Sequence, residues 1–243
     1  MIQIKSTVLN FMPFNVIWFS GRPSTWNCML NYYKQSNYCG PVAGYYRESF
    51  FTKIIDLNTE ISAFTAGFDR DTVYEIRRAL KDGVTTSVET NLAYFIEFYN
   101  LFAPTKRLAK LNSTIYKYGS RIIITKATYN EEDIVMHAYL VDDGLKRVRL
   151  LHSASLFRIE KDTRAKAVAG RANRLLHFND MCLFKQQGYQ TYDLGGYAIG
   201  TKDEVLLKIN QFKDSFGGKL VQESDYLPVA AKIHAFFHRI FKA

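Results

Sequence analysis

Cysteine is scarce in this 243-residue chain: Cys28, Cys39 and Cys182 are all there are, with no C-x-x-C pair and no His/Cys cluster at metal-ligand spacing. Neither a disulfide framework nor a structural zinc site is expected, and no metal ligands are assigned. Long apolar runs are missing too. VLNFMPFNVIWF (8–19) is too short to cross a bilayer and no small-residue cleavage site follows it, so it reads as a buried strand in a protein expected in the cytoplasm. No internal repeat is visible. Acidic residues are outnumbered, 23 Asp and Glu against 32 Lys and Arg, which leaves a net charge of +9 and favours phosphate-bearing partners. The basic residues are dispersed over RDTVYEIRRALKDG, KRLAKLN, RANR and KIHAFFHRIFKA, so most of them read as solvated surface.

What is present is ample apolar material: 47% hydrophobic and 15% aromatic residues, enough for one well-packed domain and against disorder over most of the chain. The expected organisation is a single domain over 1–243, with an N-terminal extension at 1–47 and an amphipathic C-terminal helix over 225–243 that docks on a second subunit, giving a homodimer, or on its own domain. Residues 2–8, 14–19 and 50–57 read as strands, with a helical turn near 25–35. Asp69 or Asp71 caps a helix that ends at Gly83. A strand at 84–89 follows, then helices over 91–101 and 105–118 split by Pro104. RIIITKATY, DIVMHAYLVD and KRVRLLHSASLF (121–157) form a β-meander joined by Asn-Glu-Glu and Asp-Asp-Gly turns.

The last third is the most informative. The polar stretch 158–166 leads into a helix read as opening at Gly170, whose first amides and dipole suit a diphosphate, with Arg171 and Arg174 adding charge. After it come the strand YQTYDL ending in Asp193-Leu194-Gly195-Gly196, a helix over 202–216, and a last strand over 218–224.

These segments resemble the GNAT acyltransferase superfamily, and within it the Fem-type branch that includes peptidoglycan-bridge peptidyltransferases. Ala167-Val168-Ala169-Gly170-Arg171-Ala172 is similar to the superfamily's acyl-coenzyme A loop in its Gly and final Ala. Tyr192-Asp193-Leu194-Gly195-Gly196, Phe212-Lys213 and Phe216-Gly217-Gly218 resemble Fem-type hallmarks, and 52–58 with 70–84 look like that branch's first strand and basic helix. The resemblance implies an α/β (α+β) GNAT fold: a mixed, mostly antiparallel central sheet flanked by helices. It covers roughly residues 50–220, room for one module.

It also implies roles. Coenzyme A would be held by Ser153 and Ser155 on the preceding strand and by Gly170, Arg171, Ala172, Asn173 and Arg174 at the helix start. Lys213 would face the reacting carbonyl and stabilise an oxyanion, or else be one more exposed lysine. Asp193 accepts a proton from the attacking amine or caps the Gly-Gly turn. His152, like His137, is a candidate general base or a satisfied strand histidine. Asn173, His177 and Asp180 lie on one helix face and, with Tyr192, are placed at the substrate or in ties to neighbouring strands. Arg77 and Arg78 would meet the acceptor's phosphates or solvent. Cys182, among apolar neighbours, is read as inert.

The resulting expectation is an N-acyltransferase that moves an acetyl or 3-hydroxyacyl group from acyl-CoA to the amine of a nucleotide-linked (deoxythymidine-diphosphate) amino sugar for surface polysaccharide, with no nucleic-acid partner. The alternatives are a Fem-like transferase using aminoacyl-tRNA, and a non-catalytic RNA-binding or interaction module on the same scaffold.

Overall fold

Strand-period alternation at both ends and in the centre of the chain brackets helix-period segments, and the folded chain follows that division. The structure, a computed structural model, describes residues 1–8, 12–26, 28–106, 108–155 and 163–232. Strands β1 (Ile2–Val8), β2 (Met12–Trp18), β3 (Asn31–Ser36) and β4 (Tyr45–Asp56) come first, then helices α1 (Ile61–Thr65) and α2 (Arg70–Lys81). Strand β5 (Thr85–Glu89) and helix α3 (Leu92–Phe102) precede the meander β6 (Ile122–Tyr129), β7 (Glu132–Asp142) and β8 (Arg147–Ser155). Helix α4 (Thr163–Gln186), strand β9 (Thr191–Gly196), helix α5 (Glu204–Asp214) and strand β10 (Lys219–Pro228) complete the order.

These residues fall into two compact units. One contains Met1–Thr52, Gly196–Thr201 and the chain from Leu220; the other contains Lys53–Gly195 and Lys202–Lys219. In the first, the strand order is β1-β2-β3-β10-β4. β1 and β2 form an antiparallel hairpin, β2 and β3 pair in parallel, and Ile17, Tyr33, Val42, Tyr45 and Tyr226 pack together. In the second, the order is β4-β9-β8-β7-β6-β5, with β5 to β8 antiparallel and β8–β9 parallel.

The second unit carries a core on each face of its sheet. Ile76 and Ala79 of α2 and Leu175, Leu176 and Phe184 of α4 pack with Val135, Tyr139, Val148 and Tyr192. On the opposite face Phe95, Phe98, Tyr99 and Phe102 of α3 pack with Met136, Ala138 and Ala154. Helix starts are fixed chemically: Asp69 accepts from Thr72 N at 2.6 Å, Asn91 from Tyr94 N at 3.1 Å, and Asp203 from Val205 N at 2.7 Å.

Four local expectations change. Asn31–Ser36 is a strand, not part of a helical turn, because the β-favouring Tyr32 and Tyr33 take up parallel pairing with β2. Residues 105–118 are not one helix: short 3₁₀ stretches occupy Ala103–Lys106 and Ser113–Arg121, the second started by Asn112 accepting from Thr114 N. Asp225–Pro228 extend β10 instead of opening a helix, and 233–243 lie outside the described residues. Most consequentially, α4 is already helical at Thr163, so Gly170 lies within the helix. The alanines at 165, 167, 169 and 172 favour helix strongly enough to carry it through one glycine, at a cost of about 1 kcal/mol relative to alanine.

The Phe216-Gly217-Gly218 motif has a packing reason. Both glycines have positive φ, +69° and +78°, and a Cβ on Gly217 would stand 2.5 Å from the Gly67 carbonyl oxygen. A Cβ on Gly218 would collide with the Ile54 carbonyl. Gly218→Ala is therefore expected to destabilise the protein by about 2–4 kcal/mol in urea unfolding, combining the left-handed backbone cost with the clash; a change under ~0.5 kcal/mol would contradict this packing.

Candidate functional site

β8 and β9 pair in parallel through Arg147↔Thr191, Val148↔Tyr192 and Arg149↔Asp193. Residues alternate between faces along a strand, so Val148, Tyr192 and Leu194 point into the α2/α4 core and Arg147, Arg149 and Asp193 point the other way. A β-bulge then changes the parity of β8. Ala138 pairs with His152 while Tyr139 pairs with Leu150, which leaves Leu151 as an extra residue. Beyond it His152 is turned to the α3 face, its ring edge-on to Tyr99 at 5.3 Å.

The C-terminal end of such a parallel pair is where open sheets hold ligands; Asp193 and Gly195 of β9 lie towards it, and Arg147, the first residue of β8, reaches along the same face to Asp193. Asp193 is fully buried; Arg147 Nη2 lies 2.5 Å from its Oδ2, and Gly195 N donates to its Oδ1 at 2.7 Å. The turn that permits this needs glycine, since Gly195 has φ +76° and a Cβ would meet the Leu150 carbonyl at 3.1 Å. Lys213, in the last turn of α5, is only 9% exposed and donates to the Gly195 carbonyl at 3.1 Å. Burial pulls its pKa down to about 8; Asp193 acts in the opposite sense and Arg149 adds to the lowering. Arg174 of α4 stacks over Phe212 at 5.2 Å, beside Lys213 in sequence.

Behind this cluster, on the α4 face, runs a second one. Asp180 Oδ2 accepts from Tyr139 OH at 2.6 Å and faces His137 Nδ1 at 2.9 Å; His137 Nε2 lies 2.8 Å from Asn173 Oδ1. Tyr139 OH and Tyr192 OH are 2.6 Å apart, and Tyr192 OH is 2.7 Å from His177 Nδ1. His137, Tyr139, His177, Asp180 and Tyr192 are all 2% exposed or less. Burial, then His137, Lys213 and Arg174, hold the His177 imidazole well below its usual pKa.

The expected site residues therefore separate. Asp193 and Lys213 come together. Asn173, His177 and Asp180 do share one face of α4, and their partners are side chains of β7 and β9; Tyr192 directs its hydroxyl into the same network. His152 stands against Tyr99, and Ser153 and Ser155 pair with His137 and Val135 of β7. Gly170, Arg171, Ala172, Asn173 and Arg174 do not form a helix start. They lie two turns inside α4, where amides bond to carbonyls four residues back, and Ala172 is fully buried. Arg171 pairs with Asp82 at 2.8 Å, and Arg78 pairs with the same carboxylate at 3.0 Å, tying α2 to α4; Arg77 is exposed. As interior helix residues, Gly170 to Arg174 offer no free amides to a diphosphate. The loop between β8 and α4, residues 156–162, lies outside the described residues.

Sequence reasoning missed Arg147 as the counterion of Asp193 and Tyr139 as the centre of the polar network. The second had a signal: His137 and Tyr139 are two apart on a strand, hence on one face, and Asn173, His177 and Asp180 recur at helical spacing.

No family model and no curated protein matches the sequence. Solved structures do resemble the fold. Among them are FemX (13% identity, 84% of this chain and 67% of FemX covered, TM-score 0.61) and the C-terminal domain of a protein from Agrobacterium fabrum described as a lysylphosphatidylglycerol synthetase (12% identity, 86% and 70% covered, TM-score 0.55). L-PGS from Bacillus licheniformis is similar too (13% identity, 88% and 72% covered, TM-score 0.53). The mixed α/β, GNAT/Fem-like fold expected from the sequence is the fold observed, a large sheet flanked by helices.

Lys213 has a measurable consequence for stability. The unfolded chain keeps this proton up to about 10.5 and the folded protein releases it near 8, so stability rises with pH across that interval and the full cost of the buried charge applies below it. Lys213→Met removes that cost but leaves the Gly195 carbonyl without this donor. The variant is expected to be about 1–2 kcal/mol more stable at pH 7 by urea unfolding, with the difference shrinking above pH 8; a less stable variant would contradict the burial argument.

Proposed function

We propose that this chain is a Fem-type transferase that moves an acyl group from an activated carbonyl donor to a primary amine, using Lys213 to stabilise the oxyanion formed on attack. The observation that carries the reading is a desolvated ammonium fixed by the Gly195 carbonyl, at the end of the parallel β8–β9 pair and beside the Asp193–Arg147 ion pair. A cation already ordered where negative charge develops needs no reorganisation during the reaction. The neutral amine attacks the carbonyl carbon, the carbonyl electrons move to oxygen beside Lys213, and the leaving group departs as the carbonyl re-forms. No covalent enzyme intermediate is involved. Asp193 keeps Arg147 and the Gly195 amide in place, so its role is to hold the turn.

The acceptor we favour is an amine on a phosphorylated carrier, in keeping with the net charge of +9. A nucleotide-linked amino sugar is one such carrier and a peptidoglycan precursor another. For the donor, the position of Gly170 within α4 removes the particular diphosphate seat on which acyl-CoA was expected, and that favours the second reading, an aminoacyl ester carried by tRNA. That donor would need a broad basic surface, and transfer from it would fall steeply with salt.

The test is product formation by mass spectrometry with acyl-CoA and with aminoacyl-tRNA against both carriers. With whichever pair is competent, Lys213→Met is expected to lower kcat by about 10²–10³-fold. The wild-type rate should rise with pH as the amine loses its proton, then fall as Lys213 loses its own near pH 8. Lys213→Arg should extend activity to higher pH. Wild-type rates in Lys213→Met would overturn the assignment.

A further inference from the structure

We propose that His177, Tyr192, Tyr139 and Asp180 form a buried proton wire that accepts the proton released by the attacking amine, His177 Nε2 being its entrance and the Asp180 carboxylate its end. The inference rests on the transferase reading and supplies what that reading lacks, a destination for the proton.

The carboxylate nearest the cation, Asp193, is engaged by Arg147 at 2.5 Å and by Gly195 N at 2.7 Å. His177, 1% exposed, is the next titratable group beside α5. Its ring packs on Phe212 and Phe216 at 5.5 and 5.2 Å, the two aromatic residues that flank Lys213 on α5. From its Nδ1 a continuous path of 2.7, 2.6 and 2.6 Å leads through Tyr192 OH and Tyr139 OH to Asp180 Oδ2, each step at hydrogen-bond length. His137 faces the same Asp180 oxygen at 2.9 Å and is oriented in turn by Asn173. Five almost fully buried polar side chains could be replaced by apolar residues of similar shape at little cost in stability.

The step balances. With His177 as its Nδ1–H tautomer, the proton leaves the amine nitrogen and bonds to Nε2. The Nδ1 proton passes to Tyr192 oxygen, the Tyr192 proton to Tyr139, and the Tyr139 proton to Asp180. Four N–H or O–H bonds break and four form; the positively charged nitrogen of the tetrahedral adduct becomes neutral and a carboxylate becomes a neutral acid. Burial is the largest cause both of the lowered His177 pKa and of the raised Tyr139 and Tyr192 values. Imidazolium and phenolate are both disfavoured, and the four transfers are therefore concerted.

The test cuts the wire one oxygen at a time in the full chain. Tyr192→Phe and Tyr139→Phe are expected to lower kcat at least 10²-fold with KM changed less than twofold, and a wild-type rate curved against deuterium fraction should become linear. Variants that keep kcat within twofold, or a linear wild-type plot, would overturn the wire while leaving the transferase reading intact. Absence of product from the wild type with either donor would instead sink the transferase reading. One readout needs no turnover: ¹⁵N NMR should show the Nδ1–H tautomer of His177 at pH 7 in the wild type and its loss in Tyr192→Phe, with circular dichroism confirming that the variant is folded. An Nε2–H tautomer in the wild type excludes the entrance atom.

Discussion

Placing an ammonium where water is excluded costs several kcal/mol, and the end of the β8–β9 pair is organised around one. Lys213 donates to the Gly195 carbonyl, Gly195 can adopt its turn because it lacks a Cβ, and the same residue's amide fixes Asp193 against Arg147. The three residues depend on one another. An alanine at 195 would strain the backbone and press on the Leu150 carbonyl, and so disturb the positions of both the cation and its counterion. Stability is given up at this point for a charge held in a fixed place.

The sheet keeps two polar systems apart. Strand alternation sends Arg147, Arg149 and Asp193 to one face and Tyr192 to the other, while the Leu151 bulge reverses the parity of β8. The charged cluster thus lies at the strand ends, and the His–Tyr–Asp network lies beneath α4 in the apolar core. His177 and Phe212 join them, because α5 lays its aromatic residues on that imidazole.

Much of this was legible from residue order. The α2 helix from its Asp69 cap to Gly83 and the central meander have local causes that a sequence displays. Asp193 and Lys213 both lie at the Gly195 turn, Asp193 through the Gly195 amide and Lys213 through its carbonyl. The failures share another cause. The likeness to an acyl-coenzyme A loop makes Gly170 a helix start, but four nearby alanines carry the helix through it and Arg171 is held by Asp82, almost ninety positions earlier in the chain. Asn31–Ser36 became a strand through parallel pairing with β2, again a non-local effect. Arg147 looked like one basic residue among many until the register with β9 set it opposite a buried carboxylate.

Desolvation of the Lys213 ammonium at the strand end is the condition on which the proposed chemistry depends. Titration of its side-chain ¹³Cε resonance by NMR, assigned with Lys213→Arg, tests this most directly. A midpoint near 8 is predicted; a midpoint near 10.5, the value of a lysine in water, would contradict the account.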